Sequence, residues 1–296
     1  MSTAPTTTVS GSRKRAAARR SSITLWLGIA VLVLVVGFVL AAPLFGDPYR
    51  ISVDGLGVDG LPVGIGSPGH PLGTDEIGRD MLTRAAYGGR QTLKFTFIAN
   101  LTSMALGAIV GVVAGFYRGW VEQVLMRITD IFLSVPTAIT GLALASIFGT
   151  GISGLVIVIT VLYWAWTARL VFGETLALRR RAFVEAAVAS GVGGLTIVRR
   201  HILPHLGPML LTVGALNGAS VVSIGAGLSY LGAGMQPPTP EWGSMLEQGQ
   251  NAFQYAPQML LVPLVCIVLI VLSFVLLAEA LARRGQVSLR RSWLDT

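Results

Sequence analysis

Four side chains of metal-binding type, His70, Asp75, Glu76 and Asp80, fall within one short stretch. An imidazole and three carboxylates are suitable ligands for a divalent cation, but a metal site needs a spacing that turns them to one point. These four show no repeated spacing, and acids crowding a helix start have a plainer electrostatic cause. The string PLGTDEIGRD reads instead as a turn and then a helix capped by Thr74 or Asp75, with Asp80 and Arg84 paired at four-residue spacing. His201 and His205 are also four apart, and Pro204 between them argues against a shared helical face. Nucleotide chemistry has no cradle, because neither Lys14 nor Lys94 follows a glycine and no Gly-x4-Gly-Lys-Ser/Thr exists. Neither an HExxH zinc helix nor a GxSxG elbow occurs. These residues assemble no catalytic centre, and no cofactor is expected.

The composition explains what the chain is for if not catalysis. Hydrophobic residues make up 53% of the 296, and charged residues only 12%. One soluble core cannot hide that much apolar surface. The net charge of +8 would suggest nucleic acid in a soluble protein; here it suits loops facing anionic lipid, and no nucleic-acid partner is expected. The lone Cys266 lies in an apolar run, so no intrachain disulfide can form.

Six apolar stretches organise the chain: Ile23–Ala42, Thr92–Phe116, Ile128–Phe148, Ile152–Phe172, Pro208–Leu231 and Pro257–Ala282. The first, with 20 residues, is about 30 Å long as a helix, matching the hydrocarbon thickness, and reads as a retained anchor rather than a cleaved signal. None carries a charge near its centre. The expectation is an all-α membrane protein with six transmembrane helices. Its parts are a disordered tail (1–22), an anchor (23–42), an external Gly/Pro-rich segment (43–91), a five-helix core (92–282) and a second tail (283–296). Six crossings put both termini on one side. Of the 22 Lys and Arg, 17 lie on the side of the termini and five (Arg50, Arg79, Arg84, Arg90, Lys94) on the other, which places both termini in the cytoplasm. Gly107, Gly111 and Gly115 recur every fourth residue, as do Gly214 and Gly218, a spacing that lets helix backbones approach in lipid. Ordinary packing within the chain and a partner interface both remain open for these stripes. Pro136 is placed to kink the third span. Asn217, Ser220 and Ser223 soften the fifth, and polar groups at such depth usually line a bundle interior or a translocation path.

The cytoplasmic segment 173–207 stands out. Ala182–Ser190 is Ala-rich with Glu185 in its first turn, glycines at 191, 193 and 194 interrupt it, and a basic amphipathic turn follows, which Pro204 is expected to stop. As bare composition this is an interfacial loop. The spacing says more: Glu185-Ala186-Ala187, then Gly191, then Ile202-Leu203-Pro204 resembles the EAA loop of ABC-importer permeases, with His201 where that family usually has isoleucine. Three further strings are similar to the dipeptide, oligopeptide and nickel branch of the same family. They are LGTDEIGRDMLTR from Leu72, GWVEQVLMRITDIFLSVP from Gly119, and LSYLGAGMQPPTPEWGSML from Leu228. In the last of them Trp242 suits the membrane–water interface.

The resemblance implies a type I ABC-importer-like transmembrane domain in a bacterial inner membrane, with residues 182–203 as the coupling helix that docks on an ATPase. Glu185, Ala186, Ala187, Gly191, Ile202, Leu203 and Pro204 would carry that docking. The implied partners are a homologous second permease, two ABC ATPase subunits and an extracytoplasmic substrate-binding protein. The implied cargo is a dipeptide or oligopeptide, with nickel or another small solute as the alternative. An ion-coupled secondary transporter is the reading from another class, and it would want ionisable groups at mid-membrane.

Overall fold

The computed structural model describes the backbone of residues 9–292 and the side chains of 22–283. In chain order the helices are α1 (Val9–Leu40), α2 (Ala42–Phe45), α3 (Met81–Tyr117), α4 (Gly119–Ser134), α5 (Thr137–Phe148) and α6 (Ile152–Arg179). They continue with α7 (Ala182–Ala189), α8 (Gly194–Ile197), α9 (Leu203–Leu228), α10 (Trp242–Ala252) and α11 (Gln258–Ser292). Five helical runs are long and apolar enough to cross a membrane, and the bent pair α4 and α5 supplies a sixth crossing if counted together. The all-α, six-span expectation holds among the described residues. Residues 1–8 and 293–296, the ends of the two expected tails, lie outside them. The helix of α1 takes in Val9–Ser22, where a disordered tail was expected; the run RKRAAARR is made of good helix formers.

The third span differs from a single kinked helix. Its two halves meet at 97°. Pro136 has no N–H to continue the ladder, and its ring forces Val135 into extended backbone (φ −94°, ψ 134°), so the helix ends at Ser134 and restarts at Thr137.

The glycine stripe of α3 is internal packing. A Cβ on Gly107 would lie 2.5 Å from the Trp164 carbonyl oxygen, one on Gly111 2.6 Å from that of Ala168, and one on Gly115 2.8 Å from Thr175 Cβ. All three contacts are to α6, so α3 and α6 run together backbone to backbone. Gly218 is likewise filled by Phe274 of α11, and Gly214 by Met104 of α3.

The Gly/Pro-rich stretch before α3 folds against the start of α11. Gln258 Nε2 donates to the Val63 and Thr74 carbonyls (both 3.2 Å), and the Tyr255 hydroxyl donates to Glu76 (3.0 Å). Two local expectations fail here. The helix cap is Asp80, which accepts from Thr83 N (2.8 Å), not Thr74 or Asp75. Arg84 does not pair with Asp80; it turns to Asp75, which also holds Arg79. Asp80 is already engaged by its cap and by His70 Nδ1 at 3.1 Å, while Asp75 offers two oxygens in a buried site.

Trp242 is also not at an interface. It is fully buried, with Nε1–H donating to the Ala85 carbonyl (2.8 Å). Glu241, equally buried, caps α10 by accepting from Gly243 N (2.8 Å) and Ser244 N (3.1 Å), and Thr92 Oγ1 donates to it from α3. Burial pushes the Glu241 carboxyl above the ordinary glutamate range, while the Gly243 N–H pulls it back. A carboxyl raised in the folded state contributes stability that is present below the ordinary titration near pH ~4.3 and lost as pH rises through the raised value. Melting curves of wild type and Glu241→Gln in detergent, from about pH 4 upward, should therefore diverge in favour of the glutamine variant as pH rises. A pH-independent difference would remove the raised titration.

Candidate functional site: the loop between the fourth and fifth spans

The segment that joins α6 to α9 is a compact bracket rather than a free loop. Arg179 in the last turn of α6 suits the negative end of the helix dipole, and its guanidinium donates to the Phe116 carbonyl and lies 5.3 Å from that ring. Arg181 is extended (φ −80°, ψ 141°) and turns the chain into α7. In α7, Val184 is fully buried and Ala187, one turn on, is half-buried. They join a cluster with Phe116 of α3, Leu178 of α6, Ile197 of α8, and Ile202 and Leu206 leading into α9. Glu185, Ala186, Val188 and Ala189 stay exposed on the other faces.

Gly191 ends α7 with φ +73°, a conformation costing other residues roughly 1–2 kcal/mol. Its N–H donates to the Val188 carbonyl (3.0 Å), and Val192 N–H reaches back to Ala187 (3.1 Å). These two hydrogen bonds form a Schellman closure, and they satisfy two carbonyls that the helix end leaves open.

Pro204 does not stop the following helix, contrary to expectation. Val198–Ile202 widens into a π turn, with Leu203 N–H donating to the Val198 carbonyl, and helical geometry continues into α9. The wider turn provides the room that a proline ring ordinarily lacks over the preceding carbonyls. His201 and His205 both face Phe183 of α7. The Phe183 and His205 rings stack at 5.2 Å between centroids, and His201 lies at 6.2 Å. Among the described residues no group of three His, Cys, Asp or Glu could hold a metal ion.

The predicted site residues therefore divide. Glu185, Ala186, Gly191, Leu203 and Pro204 are exposed, Ala187 is half-buried, and Ile202 is a core anchor with no exposure. Of the three polar residues of the fifth span, Asn217 turns inward and its Nδ2 donates to Thr167 Oγ1 of α6 (3.0 Å). Ser223 is exposed and Ser220 half-buried, on a strip of α9 that also carries exposed Leu216 and Gly227 at three- and four-residue steps. The sequence reading did not single out Arg118 at the α3–α4 elbow, the Phe183 stack or the Glu241 cap. Only the cap carried a local signal, an acid just before a helix.

Residues 107–286 match the family model of the binding-protein-dependent transport system inner membrane component. The chain is 35% identical over 215 residues to a glutathione transport system permease protein, GsiD, of Pectobacterium atrosepticum, covering 73% of this chain and 71% of that one. It is 34% identical over 213 residues to the protein of that name from Shigella dysenteriae, covering 72% and 70%. Among solved structures, an inward-facing MetNI methionine ABC transporter matches with a TM-score of 0.58 at 22% identity, over 69% of this chain and 97% of that chain. A second crystal form of MetNI matches with a TM-score of 0.56 over the same shares. Five apolar runs plus a broken sixth, a bracket whose one helix is anchored by Val184 and left open at Glu185 and Ala186, and relatedness over most of the length converge: the chain belongs to the binding-protein-dependent transport system inner membrane components, as a permease subunit of an ABC importer.

Proposed function

We propose that this permease moves peptide-like cargo, of the size of glutathione or a short peptide, and that α7 with α8 is the lever through which separate ATPase subunits drive it. The observation that carries the reading is the bracket. It is tied covalently to α6 and α9, cross-braced by Val184, Ile197 and Ile202, and closed at Gly191, so a push on its exposed face is transmitted to two spans at once. Glu185, Ala186 and the region around Leu203 supply the contact, with Gly191 setting the bend and Ile202 the anchor. With 17 of the 22 basic residues on the bracket's side, that side is cytoplasmic, where ATP is available. The assembly comprises a homologous second permease, two ATPase subunits and an extracytoplasmic binding protein. The exposed strip of α9 with Ser220 and Ser223 faces the path, and Asn217 holds that helix to α6.

Vesicles carrying the full complex and its binding protein test this directly. ATP without an ion gradient should drive uptake of labelled glutathione or dipeptide, and an ion gradient without ATP should not. In the same vesicles Glu185→Lys should leave the amount of permease unchanged and lower uptake at least tenfold. That factor corresponds to about 1.4 kcal/mol of lost coupling. Uptake driven by an ion gradient alone would overturn the ATP reading, and wild-type uptake by the lysine variant would remove Glu185 from the contact.

A further inference from the structure

Beside the bracket lies a cavity of about 330 Å³ lined by Arg118, Arg179 and Arg180 together with Glu185, Val188 and Ala189 of α7. Three arginines line it against one acidic residue, and among the described residues none of the three arginines is ion-paired. Arg118 and Arg180 are exposed, and Arg179 keeps donors beyond the one it gives to Phe116. The backbone of Arg118 is the unusual part. With φ 56° and ψ −167° it sits in a region that essentially only glycine occupies, and non-glycine residues held there cluster at functional sites. A glycine follows at 119, so the elbow places an arginine where a second glycine would fit more easily.

We infer that this cavity holds the phosphate of an anionic phospholipid headgroup at the membrane surface. The level is marked by Tyr117 and Trp120, which flank Arg118 at 61% and 75% exposure, the position of an interfacial aromatic belt. Planar guanidiniums match phosphate oxygens by paired hydrogen bonds, and basic recesses between spans take acidic headgroups. The inference requires only that this end of α3, α4 and α6 lies at a membrane surface, whichever leaflet that is. A free phosphate ion offers the same oxygens, and an acidic side chain of a docked ATPase offers the same charge.

Native mass spectrometry of the purified full complex, exchanged into micelles containing phosphatidylglycerol and phosphatidylcholine with identical acyl chains, separates these. Wild type should retain phosphatidylglycerol in preference. Arg118→Gly and Arg180→Gln should each lower that preference by about fivefold, the factor for one arginine near an anionic lipid. Arg118→Gly removes the strained side chain, so its melting temperature should equal or exceed wild type and exclude misfolding as the cause of the loss. Arg50→Gln, the same charge change away from the cavity, should leave the preference intact. Equal retention of the two lipids by wild type, or unchanged preference in both cavity variants, overturns the assignment. Displacement by millimolar inorganic phosphate but not by chloride at equal ionic strength gives the site to free phosphate instead. A preference present only after the ATPase subunits are stripped away gives it to the ATPase.

Discussion

Gly111→Leu is expected to leave little or no folded protein in the membrane. A Cβ at this position already meets the Ala168 carbonyl oxygen at 2.6 Å, Val171 Cβ at 2.8 Å and Phe172 N at 2.9 Å. Two of those atoms are backbone in the middle of α6 and cannot turn aside as a flexible side chain would. Overpacking a core costs typically 1–3 kcal/mol when neighbours can yield. Here the remaining leucine carbons can be housed only by separating α3 from α6 along the seam that Gly107 and Gly115 also hold closed. In lipid no hydrophobic gain compensates for a parted seam, because the tails are as apolar as the side chains. Gly111→Ala should give a reduced but measurable population, and Gly37→Ala, where a Cβ meets nothing within 4 Å, should be neutral or slightly stabilising as alanine replaces glycine in a helix. Fluorescence-detected size exclusion of tagged variants reads all three. A monodisperse, wild-type-level peak for Gly111→Leu would show that the seam can open at no cost.

The spans were legible in the sequence because lipid demands long apolar runs with internally satisfied backbone, which is a local and one-dimensional constraint. What was not legible depends on three-dimensional partners. Proline at 136 announces a break, but whether the pieces meet at 20° or 97° is decided by what each half packs on. Thr74, Asp75 and Asp80 are all reasonable caps by type, and the choice among them rests on Arg79 and Arg84 claiming Asp75. Trp242 has the composition of an interfacial anchor, yet it fills the space left by Gly88 and Gly89 of α3, residues far away in the chain. In the bracket, the helix, its acid and its terminal glycine all follow local rules and could be read off residues 182–191. The continuation through Pro204 could not, because a π turn has no sequence signature as plain as the proline it accommodates.

Gly191→Pro is expected to uncouple the importer while leaving the bundle intact. Proline fixes φ near −65° and has no N–H, so it loses both the +73° geometry and the bond to Val188, and the Val192–Ala187 bond loses its register with them. The damage is confined to the last turn of α7. A Cβ at Gly191 meets nothing within 4 Å, so no neighbouring span is disturbed, and Val184 near the other end of the helix remains buried. Ala187, Val188 and Ala189, the turn next to the proposed ATPase contact, should therefore fray, with membrane level and melting temperature near wild type. Co-purification of the ATPase subunits should fall more than tenfold, or beyond about 1.4 kcal/mol, and uptake should disappear. Gly191→Asn separates backbone from side chain: asparagine tolerates the left-handed region better than other non-glycine residues, so it should retain most of the ATPase, with Gly191→Ala between the two. The ordering Gly, Asn, Ala, Pro is what a backbone role requires. Retention of ATPase by the proline variant at the wild-type level would mean that the closed end of α7 is not where the force enters.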